Sequence, residues 1–114
     1  MTKKILSVLA MMSIAAMMML SSCTAAGVEC GLIGKWEKVD DGVTITVEIT
    51  ADDKLIQINK YEGVEKEEIL ECTIKSVSNY EITYEYDGVE LILEYSDLSF
   101  DTVKFSGVEF RKVN

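Results

Sequence analysis

Three cysteines and a set of tyrosines hold most of the reactive chemistry in this 114-residue chain. Cys23 ends the small-residue run Leu20-Ser21-Ser22-Cys23, directly behind an apolar stretch from Ile5 to Leu20. A thiol in that position is available for modification, while Cys30 and Cys72 lie further along the chain. Histidine is absent, which excludes serine–histidine and cysteine–histidine catalysis and removes the commonest zinc ligand. Tyr80, Tyr84 and Tyr86 fall at alternate positions, and Tyr95 follows on the next alternating run. Their rings and hydroxyls suit an amphipathic ligand, although tyrosines at strand spacing also pack simply against one another. Asp40, Asp41, Asp52, Asp53, Asp87, Asp97 and Asp101 gather in turn-like segments, but none follows the D-x-D-x-D spacing of a calcium loop. Paired carboxylates for glycoside hydrolysis would need a cleft that so small a chain can hardly build. No metal, no cofactor and no enzymatic activity are expected.

Lys3 and Lys4 precede the apolar run, and small residues follow it, the order found in an export signal. At about 16 residues the run is shorter than the roughly 20 that span a bilayer. The end of the segment resembles the bacterial lipobox. In the lipoprotein family the cysteine thiol is diacylated and the peptide is cut just before it. The resemblance implies a signal peptide over residues 1–22, lipidation at Cys23, and attachment to the membrane through acyl chains. An ordinary cleaved signal is the plainer alternative. Thr24 follows the cysteine, and in such lipoproteins the lack of aspartate there goes with the outer membrane of a Gram-negative bacterium. Whether the domain faces the periplasm or the surface is left open.

Removal of residues 1–22 takes two of the 11 basic residues and none of the 20 acidic ones, so the formal charge moves from −9 to −11. The remainder suffices for one small, monomeric domain. Its field repels nucleic acid and anionic head groups and admits a basic partner. An exported compartment permits a disulfide, so Cys30 and Cys72 either bridge or leave Cys72 as a buried thiol in Leu70-x-Cys72-x-Ile74.

Residues 23–31 read as the modified cysteine and a short flexible tether, with the domain proper over residues 32–114. From there the period is two. Val43, Ile45, Val47 and Ile49 alternate with Thr44, Thr46 and Glu48; residues 80–86 and 89–95 repeat the pattern. Asp87-Gly88 between two such runs signals a hairpin. Weaker strands fill 35–39, 54–60, 68–75, 102–105 and 108–113. Eight short strands joined by short turns predict an all-β fold, a small antiparallel up-and-down barrel, with a two-sheet sandwich as competitor.

Gly34-Lys35-Trp36 at the start of the first strand resembles the Gly-x-Trp motif of lipocalin-like, calycin-type domains. That resemblance implies that Trp36 closes one barrel end and that a basic residue of the last strand, Arg111, stacks over it. The chain is shorter than true lipocalins and lacks their later motifs, so little interior volume is expected. The functional expectation is binding: a small apolar or amphipathic ligand at the barrel mouth near Tyr80, Tyr84, Tyr86 and Tyr95, or a basic envelope protein on the acidic surface.

Overall fold

The computed structural model describes residues 22–113; apart from Ser22, the expected signal peptide lies outside them. A 3-10 turn at Cys30–Leu32 leads into β1 (Gly34–Asp40), β2 (Val43–Ile49), β3 (Lys54–Tyr61) and β4 (Glu68–Ser78). β5 (Glu81–Tyr86), β6 (Val89–Ser96), β7 (Thr102–Phe105) and β8 (Val108–Val113) follow. Each strand runs antiparallel to the next and β8 returns to β1, so the sheet closes into an up-and-down barrel. The architecture is consistent with a lipocalin-like fold and selects the barrel over the sandwich.

The alternation of apolar residues sets the inner face. Trp36, Val47, Ile49, Leu55, Cys72, Ile82 and Val103 are all buried and pair largely with one another across the ladders, Trp36 with Val47, Ile49 with Leu55 and Leu55 with Cys72, while the residues beside them in the chain are mostly polar. Phe105 and Phe110 meet edge to face at 5.2 Å and complete this core. The Asp87-Gly88 turn has positive φ at both residues, as a two-residue hairpin requires.

The two ends of the barrel differ. At the end formed by the β2–β3, β4–β5 and β6–β7 connections the core is dense, and this is the closed end. At the other end pairing thins out. β6 meets β7 only at Tyr95↔Phe105 and Ser96↔Lys104, and β1 meets β8 only over Lys35–Glu37 and Arg111–Val113. Val89, Leu91 and Tyr86 stay exposed there.

The segment expected as a flexible tether is docked across the closed end instead. Within it Val28 has no solvent exposure and Ala26 packs against the core, as do the buried Leu32 and the half-buried Ile33 that follow it. The Ala26 N–H donates to the Asp53 carboxylate at 3.0 Å, and the Val77 N–H donates to the Ala26 carbonyl at 2.9 Å. The Trp36 indole N–H donates to the Leu32 carbonyl at 2.8 Å. Burying Val28 and Leu32 stabilises the fold by about 1.5–3 kcal/mol each, which together with these hydrogen bonds offsets part of the entropy lost on ordering the segment. Trp36 does sit in the closed half, but it shares the closure with this segment.

Candidate functional site

The structure divides the four tyrosines between the two ends. Tyr80 and Tyr95 stand at the closed end, 5.5 Å apart and edge to face. Tyr84 and Tyr86 lie higher on β5, half-buried and exposed respectively. A single pocket lined by all four rings at the barrel mouth is therefore not formed. Strand direction is the reason: Tyr80 precedes β5 and Tyr95 ends β6, so hairpin pairing brings both to the same end.

At the closed end two open clefts, of about 430 and 530 Å³, share Glu29, Tyr80 and Tyr95. Burial pushes the Tyr95 hydroxyl well above the usual tyrosine range, and the Glu29 carboxylate, which accepts its hydrogen bond, adds to the effect. Tyr80 itself adopts a left-handed backbone with φ of +61°, uncommon for so bulky a residue. At the open end a groove of about 780 Å³ runs past Val39, Thr44, Lys60, Tyr61 and Val64. On this rim the Glu68 carboxylate accepts from the Tyr61 hydroxyl, which raises the tyrosine pKa first through that bond and then through charge.

The cysteine and tryptophan expectations are both revised. Cys30 is bonded to Cys23, seven residues away with a Cα–Cα distance of 4.9 Å, and not to Cys72. The Cys23 N–H donates to the Val28 carbonyl at 2.7 Å, which folds the segment back and brings the two sulfurs together. Cys72 is a buried thiol facing Leu55 across the ladder, its pKa raised by burial and then by the Glu71 charge. Over the Trp36 ring lies Lys112, with its ammonium 5.4 Å from the ring centroid, in place of Arg111. Register decides this: Trp36 pairs with Lys112, whereas Arg111 pairs with Glu37 on the outer face. A one-residue offset moves a side chain through the sheet. Gly34 makes room for the lysine, because a Cβ there would come within 2.9 Å of Lys112 Cε.

The most unusual charge arrangement was not anticipated from the sequence. On the outer face of the β5–β6 hairpin, Glu81 is paired with Glu94 and Glu85 with Glu90. Like charges directly opposite one another destabilise a sheet by roughly 0.2–1 kcal/mol per pair. One described ion pair relieves this stripe, Lys75 to Glu85 at 3.7 Å, and both of its members are substantially exposed. Counting back from the two-residue turn Asp87-Gly88 would have found Glu85 opposite Glu90. Among the described residues no three Asp, Glu or Cys side chains converge to hold a metal ion.

With this geometry established, comparison with known proteins gives no match to a family model, to a curated protein or to a solved structure.

Proposed function

We propose that this chain is a lipid-anchored protein of the bacterial cell envelope that acts by binding and not by catalysis, receiving a basic partner on the outer face of β5 and β6. The observation that carries the reading is the in-register opposition of Glu81 with Glu94 and Glu85 with Glu90. The arrangement costs stability that the exposed Lys75–Glu85 ion pair offsets only in part, which fits a surface kept for a partner. The filled core supports the same reading, since the interior around Trp36, Ile82 and Phe105 is occupied by the chain's own side chains. Anchoring rests on the resemblance of Leu20-Ser21-Ser22-Cys23 to a lipobox, with the acyl chains on Cys23. Acylation uses the sulfur that forms the Cys23–Cys30 bridge, so the anchored form is the one without that bridge.

A second reading, a small amphipathic ligand at the open end, is favoured by the half-buried Tyr84 beside the exposed Tyr86 and Leu91. Purification of the acylated protein from native membranes, followed by native mass spectrometry, separates the two. A co-purifying basic protein released by salt supports the first; a retained apolar small molecule supports the second. The variant Glu90→Lys sharpens the test, because it should raise stability by about 0.2–1 kcal/mol while abolishing capture of the partner. Undiminished capture by that variant refutes the acidic-face reading.

A further inference from the structure

We propose that the closed end of the barrel rests against the bilayer, with Phe100 and Tyr80 entering the interfacial layer of a membrane of neutral, zwitterionic head groups. The inference rests on the anchoring part of the function proposed above and goes beyond it in fixing how the domain is oriented.

Phe100 is the most exposed large apolar side chain of the described residues, at 94%. It sits in the β6–β7 connection, and Tyr80, 64% exposed, sits in the β4–β5 turn; both connections belong to the closed end. The described chain starts at that same end, since Ser22 lines one cleft with Tyr80. Whatever holds the protein to lipid, the apolar stretch Ile5–Leu20 or acyl chains on Cys23, therefore leaves the barrel beside these rings. Nor can the barrel swing far from its anchor. Hydrogen bonds from Cys23 N–H to the Val28 carbonyl, Ala26 N–H to Asp53 and Val77 N–H to the Ala26 carbonyl fasten the attachment point to the sheet.

The backbone reinforces this placement. Tyr80 has a positive φ in the turn with Asn79, the Tyr95 N–H donates to its carbonyl at 2.9 Å, and its ring rests edge to face on Tyr95 while staying largely exposed. Tyrosine is a residue of the head-group level, where its ring is apolar and its hydroxyl wet. Glu29 lies beside Tyr80, Asp101 follows Phe100 in the chain, and Asp97 on the same cleft is paired with Lys104 at 3.3 Å; the Glu29 and Asp101 charges repel anionic lipid. Neutral head groups are the surface this chemistry fits. In this orientation the acidic β5–β6 wall stands upright, with Glu85 and Glu90 held away from the bilayer and Glu81 and Glu94 at its near edge.

The test uses the processed, acylated protein in phosphatidylcholine vesicles whose acyl chains carry bromine, a short-range quencher of tryptophan. Phe100→Trp and Val39→Trp place a reporter at the closed and open ends; both sites are exposed, and Trp36 is a buried background common to both. With the aromatic side chains about 5–10 Å into the head-group boundary, roughly half of the added Phe100→Trp emission should be lost and none of the added Val39→Trp emission. Protein that floats with the vesicles but shows no Phe100→Trp quenching overturns the orientation and leaves anchoring intact. Equal quenching at both sites also overturns it. Failure to float overturns anchoring, and the inference with it.

Discussion

In Leu32→Ala a side chain with no solvent exposure is cut back to a methyl, while the carbonyl that accepts the Trp36 indole N–H stays in place. Three carbons leave the plug, worth about 0.8 kcal/mol each in transfer free energy, and a cavity remains beside Trp36. Because the segment can settle partly into that space, the expected loss is about 2–4 kcal/mol, toward the lower part of the range for buried leucines. For a domain of this size that lowers the melting temperature by roughly 10–25 °C. Thermal unfolding followed by far-ultraviolet circular dichroism and by Trp36 fluorescence measures it. Phe100→Ala, at a fully solvated site, should melt within about 0.5 kcal/mol of the parent and serves as control. If Leu32→Ala melts within about 3 °C of the parent protein, residues 23–33 are a leash after all, and the reasoning on closure fails.

Lys112→Met should lower stability by about 0.5–2 kcal/mol through loss of the cation over Trp36, whereas Arg111→Met should change it by less than about 0.5 kcal/mol; the reverse order in urea titrations would mean that the β1–β8 register is wrong. Protein exported through an ordinary signal, and so not acylated, should carry the Cys23–Cys30 bridge and accept alkylation at Cys72 alone after unfolding without reductant. Alkylation of all three cysteines would disprove it. The raised pKa of Tyr95 has a defined sign: its neutral form is favoured in the fold, so the stability it contributes is complete below the unfolded value near 10.0 and is lost as pH climbs above that toward the folded value. Urea midpoints measured from neutral pH upward should fall above pH 10.0 in the parent protein and fall less steeply in Tyr95→Phe; parallel curves would remove Tyr95 as the cause.

Strand existence and order were readable because apolar and polar residues alternate along the chain, so period-two patterns survive in Val43–Ile49 and even in Val89–Ser96, of which only Tyr95 is buried. Barrel closure followed from the edge problem. What escaped was settled by tertiary pairing. The Trp36 partner depended on one residue of register between the first and last strands, and no local signal reports that offset. Residues 23–31 read as a tether because they are small and irregular, yet Val28 within them finds a hole, shared with Leu32, that exists only once the barrel is formed. The Cys23–Cys30 contact arises from that same docking. The alternation of its neighbours places Tyr80 in a strand, whereas the Asn79-Tyr80 turn gives it a left-handed backbone.

The meeting of β1 with β8 also sets a timetable. A chain synthesised N-terminus first delivers Leu32 and Trp36 early, but their neighbours on β6, β7 and β8 arrive last. Until the final six-residue strand emerges, the first strand has one bare edge and the plug has no socket. The interval between is the period in which the nascent domain is most exposed to wrong pairing and proteolysis. A truncation at the far end of the sequence would thus undo what is packed at its beginning.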